Sequence, residues 1–131
     1  MVLGVPDNGR TTVEGKHYVH GVLLEDSQFR HDPVHPMLES DLTKILGEQT
    51  SRNVGRISSY IYADGAHAVR KALDEVKKTC HYCIMDVRDN EDLALLANVL
   101  QSEKMICGSS ALSGYLAKLY AAREEKSVPV R

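Results

Sequence analysis

The run His81–Val87, HYCIMDV, restricts this chain more than any other stretch. It is almost continuously apolar, with Asp86 near its far end. A half-buried strand alternates apolar and polar residues. A continuous apolar run needs both faces covered, which is the condition of a strand in a parallel sheet held between helices. The surrounding pattern agrees. Val54–Tyr62 holds a strand interrupted at Ser58-Ser59, followed by a helix capped by Asp64 and running to about Lys78, with Ala68, Ala72, Leu73 and Val76 as its inner stripe. After the central run, Asp89 caps a helix striped by Leu93, Leu96, Ala97 and Leu100. Lys104–Cys107 reads as a short strand, and Ser109 or Ser110 opens a last helix with Leu112, Tyr115, Leu116 and Leu119 inward. These spacings follow the cap preferences and the 3.6-residue period of amphipathic helices. Three successive strand–helix units predict an α/β fold: three layers, a mostly parallel sheet with helices on both faces, and right-handed crossovers.

The chain before Val54 is organised differently. Val2–Val5 reads as the end of a buried strand that stops at Pro6, and Asp7-Asn8-Gly9 is a turn signal. Thr11–Val13 and Lys16–Val19 flank Glu14-Gly15 and predict a short hairpin. Pro33 and Pro36 exclude regular helix or central strand between them. Ser40 is expected to cap a helix ending near Gln49, with Leu42, Ile45 and Leu46 on one stripe. Within Gly9–Ser40 lie four of the six histidines, two arginines, Asp26 and Asp32. A segment with so many polar groups and so few apolar ones is suited to holding a small polar ligand against the scaffold.

With 131 residues, one domain is expected, taken here as residues 1–125 with a polar, frayed tail over 126–131. A net charge of −2 gives no basic surface for nucleic acid. No apolar run reaches the roughly 20 residues of a membrane span, and the first residues lack a secretory pattern. The three cysteines, Cys80, Cys83 and Cys107, are an odd number without framework spacing, which points to free thiols in a reducing cytoplasm.

In an open parallel sheet, ligands bind beyond the carboxyl ends of the strands. That rule selects Ser58-Ser59, Asp86 with Arg88, and Gly108-Ser109-Ser110. The last group opens a helix, where backbone N–H groups and hydroxyls favour a carboxylate or phosphate; simple capping explains the same residues. No Gly-Lys-Ser/Thr follows at P-loop spacing. Asp86 could orient a substrate hydroxyl or act as a base, or it could cap the next helix or pair with Arg88. Arg10, after Gly9, can grip a carboxylate with two parallel hydrogen bonds, or lie solvated at the surface. His31 and His35 have the i, i+4 spacing of a helical zinc pair, but the intervening prolines remove the helix, so no metal site is expected. Cys80-x-x-Cys83 enters a strand rather than opening a helix, unlike a redox pair.

The run Pro6-Asp7-Asn8-Gly9-Arg10-Thr11-Thr12-Val13-Glu14-Gly15, followed by Asp32-Pro33-Val34-His35-Pro36-Met37-Leu38-Glu39-Ser40-Asp41-Leu42, resembles the four-carbon acid sugar kinase family. The family's pattern there is P-x-x-GRTT-x-x-G and then DP-x-x-PM-x-x-S-x-L. Asp86, Asn90-Glu91-Asp92-Leu93 and Gly108-Ser109-Ser110-Ala111-Leu112 also fit. The resemblance is to the later part of that family's N-terminal, sugar-acid-binding domain. It implies an ATP-dependent kinase acting on erythronate, threonate or 3-oxo-tetronate, with Mg²⁺ and a separate C-terminal nucleotide domain. It places Gly9, Arg10, Asp32, His35, Ser40 and Asp86 near the sugar acid and Gly108, Ser109 and Ser110 near an anion or phosphate. The family's DD-x-TGA and DST-x-RG motifs and its glycine-rich nucleotide domain are absent from these residues, so the expectation is a chain inactive alone and completed by a nucleotide-binding domain in trans. The catalytic base is not assigned. The alternative is a non-catalytic binding or assembly module, forming a homo-oligomer through an open sheet edge.

Overall fold

The computed structural model describes residues 1–127. β1 (Arg10–Val13) and β2 (Lys16–Val19) form the expected hairpin. Glu14 and Gly15 both take positive φ, 52° and 79°, the conformation whose twist matches the flanking strands. Arg10 pairs with Val19 and Thr12 with His17, so these four side chains share one face. Thr12, His17 and Val19 are buried there. β3 (Val22–Leu23) adds a third antiparallel strand.

β4 (Val54–Ile57) and β5 (Tyr82–Met85) pair in parallel, with α2 (Ala66–Lys77) between them in the chain. Ile84 and Met85 are adjacent and each 1% exposed. Both faces of β5 are therefore covered, as the HYCIMDV run requires. Met85 belongs to the main core with Val69 and Leu73 of α2, Leu93 and Leu96 of α3 (Asn90–Leu100), and Leu112 of α4 (Ser110–Ser127). Each such side chain contributes roughly 1.5–3 kcal/mol of burial.

The α/β class holds, but the parallel part is smaller than the sequence predicts. Lys104–Cys107 does not form a strand. The layer continues past β5 only through single contacts: Met85 N–H donates to Met1 O at 3.0 Å, Val2 N–H to Cys107 O at 2.9 Å, and Ser109 N–H to Val2 O at 2.8 Å. The cause lies in the segment between them. Val5 exchanges hydrogen bonds with Arg10 in the hairpin layer, so the N-terminal segment leaves the parallel layer after a few residues. The chain around Gly108 is left with Val2 as its pairing partner.

Two helix starts also differ from expectation. α1 (Leu42–Gln49) is capped by Asp41, whose carboxylate accepts from Thr43 and Lys44 N–H, and not by Ser40. α2 begins after Gly65 and not at Asp64, because residues 59–64 fold into a 3-10 turn that contains Asp64. Gly65 at φ 90° and ψ 179° adopts backbone that only glycine enters readily. Asp89 caps α3 as expected. α4 continues past Glu124 through Ser127, and the expected tail beyond it, residues 128–131, lies outside the described residues. No described helix is long and apolar enough to cross a membrane.

A buried carboxylate joins the two sheets, as does the Arg56 guanidinium of β4, which donates to Glu14 O. Asp86 is 0% exposed. Its carboxylate accepts from Glu14 N–H at 2.8 Å, Gly15 N–H at 2.9 Å and Ser59 N–H at 3.0 Å. Thr12 and Val87 exchange backbone hydrogen bonds beside it, and the Tyr62 hydroxyl donates to Asp86 O at 2.7 Å. The hairpin turn is thereby fixed to the carboxyl end of β5. Replacing Asp86 with Ala orphans three donors, two of them buried. Urea unfolding of D86A should show a loss of roughly 3–5 kcal/mol; a loss below about 1 kcal/mol would mean that the hairpin docks without this carboxylate.

Candidate functional site

Gly9 introduces the site. Its φ is +70°, and a Cβ there would lie 2.2 Å from His20 Nδ1. Glycine is therefore required both by backbone and by space. The next residue, Arg10, starts β1 on the inner face of the hairpin.

That face forms one wall of a cavity of about 360 Å³. Arg10, His17 and Val19 come from the hairpin, while Leu24, Phe29 and Met37 come from the loop that follows β3. The loop is closed by its own hydrogen bonds. Ser40 N–H donates to Glu25 Oε2 at 2.9 Å, Glu25 N–H donates to Ser40 Oγ at 3.2 Å, and Met37 N–H donates to Phe29 O at 2.9 Å. Ser40, 2% exposed, thus acts as the clasp of the loop.

The guanidinium of Arg10 lies over the Phe29 ring, with Cζ 5.0 Å from the centroid. Its Nε is buried without a hydrogen-bond partner, and among the described residues it is the one buried side-chain nitrogen or oxygen in that condition. A buried donor left unpaired costs about 1–3 kcal/mol, more when charged. The cation–π contact returns only about 0.5–2 kcal/mol. No carboxylate lines the cavity to neutralise it.

His17 stands beside Arg10 and is 9% exposed. Its Nδ1 lies 3.1 Å from Thr12 Oγ1. Burial first, and the neighbouring Arg10 charge second, hold its pKa below the ordinary histidine value of 6.5. The imidazole is therefore neutral at pH 7, and Arg10 carries the positive charge of the cavity.

The other residues anticipated from the sequence fall elsewhere. Asp32 accepts from Val34 N–H at 2.9 Å and His35 N–H at 2.7 Å, which holds its carboxyl below the usual range. This turn lies on the loop between Phe29 and Met37, with His35 exposed, and neither Asp32 nor His35 lines the cavity. Asp86 neither caps a helix nor meets Arg88: its oxygens are taken by backbone, and Arg88 pairs with Asp92 at 2.9 Å. Ser109 holds the N-terminal segment, its N–H donating to Val2 O and its hydroxyl to Gly4 O. Gly108 and Ser110 are exposed. The pair that the sequence reading missed is His17 and Phe29. The strand alternation that puts Val19 inward already puts His17 on the same face.

Of the residues that the resemblance places near an anion or phosphate, Ser109 is already occupied. Both donors of Ser109 are engaged by the N-terminal segment. Among the described residues no three or more His, Cys, Asp or Glu side chains are grouped to hold a metal.

His17 also makes a stability prediction. Its folded pKa is depressed, so the unfolded chain takes up the proton more readily. The stability from keeping it neutral is complete above about pH 6.5 and is lost as pH falls below that value. The lowered carboxylates Asp32, Glu39 and Asp41 act in a more acid range. The melting temperature should therefore fall between pH 7 and pH 5, and H17Q should flatten this limb. An unchanged slope in H17Q would assign the effect to another group.

Comparison with known proteins gives the context of this geometry. The family model described as the sugar-binding N-terminal domain matches residues 1–116. Relatives named 3-oxo-tetronate kinase include one from Brucella melitensis, 31% identical over 125 residues, covering 95% of this chain and 29% of that protein. One from Escherichia coli K12 is 30% identical over 118 residues, covering 89% of this chain and 30% of that protein. A solved Haemophilus influenzae structure superimposes with a TM-score of 0.87 at 29% identity, over 92% of this chain and 30% of that one. A Bordetella bronchiseptica structure at 21% identity and TM-score 0.72 shows the same fold. The chain thus spans about 30% of the length of the curated relatives. With its matched span running from the N-terminal segment into α4, this chain belongs to the family of sugar-binding N-terminal domains.

Proposed function

We propose that this chain binds a four-carbon sugar acid of the erythronate, threonate or 3-oxo-tetronate type, as the substrate-binding part of an ATP-dependent kinase. The observation that carries the proposal is the unpartnered, buried Nε of Arg10 at the wall of the cavity. A carboxylate has two acceptor oxygens in the geometry of the guanidinium edge, and a charge-assisted bidentate pair is among the strongest protein–ligand contacts. It would satisfy the orphaned donor and neutralise the local charge in one step. The names of the curated relatives support the sugar-acid class.

Phosphoryl transfer depends mainly on positioning and on stabilising charge. In this proposal the described residues hold the carboxylate end of the acceptor, while ATP and Mg²⁺ come with a separate nucleotide-binding part. Arg10 orients the acid, Phe29 keeps the guanidinium plane fixed, and the loop clasped by Ser40 closes the apolar side. A second reading, self-association through an open edge, draws on Met105, which is 91% exposed beside a groove lined by Val76, Tyr82 and Ile106. Light scattering at rising concentration separates the two, since self-association requires a concentration-dependent mass.

The test is a thermal-shift titration with erythronate and threonate, each with and without Mg-ATP. Ligand that binds the folded state raises the melting temperature by mass action. The expected result is a rise with sugar acid alone, abolished in R10A and weakened about tenfold in R10K, because an ammonium cannot form the bidentate pair. R10A should fold, since Arg10 makes no side-chain hydrogen bond among the described residues. No shift in the unsubstituted chain with either acid would overturn the proposal.

A further inference from the structure

His17 is the second polar group of the cavity, and the comparisons assign it no role. It comes from β2, diagonally across the ladder from Arg10, because Thr12 is opposite His17 and Arg10 is opposite Val19. Diagonal neighbours on one face of an antiparallel pair lie roughly 7–8 Å apart, within reach of long side chains. Nδ1 of His17 is held by the Thr12 hydroxyl, and Thr12 is itself 0% exposed. This fixes the ring and leaves Nε2 as its free edge, with no hydrogen bond among the described residues.

We propose that His17 is a specificity-determining residue, whose Nε2–H donates to the hydroxyl on the carbon next to the carboxylate held by Arg10. The cavity would thereby select 2-hydroxy monocarboxylates over their 2-deoxy analogues. The inference rests on the carboxylate site proposed for Arg10.

Three observations support it. The imidazole is nine-tenths buried and stands in the same cavity as a cation that lacks a partner. Thr12 can donate to Nδ1, and this selects the tautomer with the proton on Nε2, the edge that an oxygen-rich anion needs. The remaining wall, Val19, Leu24 and Met37, offers apolar side chains to the rest of the ligand. A hydroxyl placed beside the carboxylate therefore has one side-chain donor within the lining besides Arg10. A ligand without that hydroxyl would cover Nε2–H without pairing it, a penalty of the kind that gives hydrogen-bonding sites their discrimination. A second anionic group would face the apolar wall, which favours a singly charged acid.

The test measures the affinity of erythronate and of 3,4-dihydroxybutanoate, its 2-deoxy analogue, by calorimetry on the full chain. The unsubstituted chain should prefer erythronate by roughly tenfold, the scale of one net hydrogen bond. In H17L the ratio should fall to near one, and in H17Q, which keeps an N–H donor, it should recover in part. A ¹⁵N NMR measurement needs no variant: erythronate should shift the resonance of the already protonated His17 Nε2–H as it gains an acceptor, and the 2-deoxy acid should shift it less. Binding of erythronate that requires Arg10 but shows the same ratio in H17L, or leaves the His17 resonances unmoved, would overturn the role of His17 while the carboxylate site stands. Failure of the unsubstituted chain to bind either acid would overturn the carboxylate site and His17 with it.

Discussion

The structure depends on a carboxylate that never meets solvent. Asp86 sits at the carboxyl end of β5 and accepts three backbone N–H groups, two from the tip of the hairpin and one from the turn after β4. A buried carboxylate is costly unless its lone pairs are filled, and here they are filled by segments 27 to 72 residues away in the chain. The antiparallel hairpin and the parallel layer have no continuous ladder between them; beside Asp86 there is one bridge, Thr12 to Val87. Without the carboxylate, the hairpin would be a short antiparallel ribbon of the sort that is marginal by itself. With it, the inner face of that ribbon becomes one wall of a cavity.

This arrangement separates two tasks that share the carboxyl edge of a parallel sheet. General rules place ligands there, and Asp86 lies there, but as the post on which the hairpin is mounted. In the proposed reading, the ligand-facing chemistry lies one layer out, on β1 and β2. Ser109 follows the same logic. It anchors the N-terminal segment through Val2 and Gly4, and Leu3 and Val5 of that segment line the cavity. Asp86 and Ser109, both singled out in the sequence, thus hold the wall in place.

Much of the scaffold is legible in sequence because its causes are local. Asp89 caps α3, the hairpin forms around Glu14-Gly15, and the stripe Leu93, Leu96, Ala97 and Leu100 is buried as its spacing requires. The motif Gly9-Arg10 led to the cavity because a glycine with positive φ and an adjacent arginine is a local arrangement too. What was not legible depends on contacts between distant segments. Nothing near Asp86 in sequence reveals that Glu14, Gly15 and Ser59 will fill its oxygens. Nothing near Lys104 reveals that its partner segment turns away at Val5, leaving no strand to pair with. Asp41 displaced Ser40 as a cap because Ser40 is drawn into the clasp with Glu25, a contact 15 residues long. Asp32 and His35 form a turn whose own N–H groups bond Asp32 Oδ1, a local arrangement that the two prolines alone do not reveal.

The unpaired state of Arg10 is then a consequence of how the site is assembled. Its wall comes from a hairpin, a clasped loop and the N-terminal segment, and none of them brings an acceptor to the guanidinium. The Phe29 ring compensates in part without pairing the in-plane N–H groups, because a cation–π contact uses the face of the guanidinium and a carboxylate uses its edge. A lysine in the same place would present a compact ammonium without a defined edge. A salt bridge from the protein would stabilise the fold but close the site. If the cavity takes the proposed carboxylate, the charge left unpaired in the free chain gains its hydrogen bonds from the anion, and stability forgone in the empty cavity reappears as affinity when it is filled.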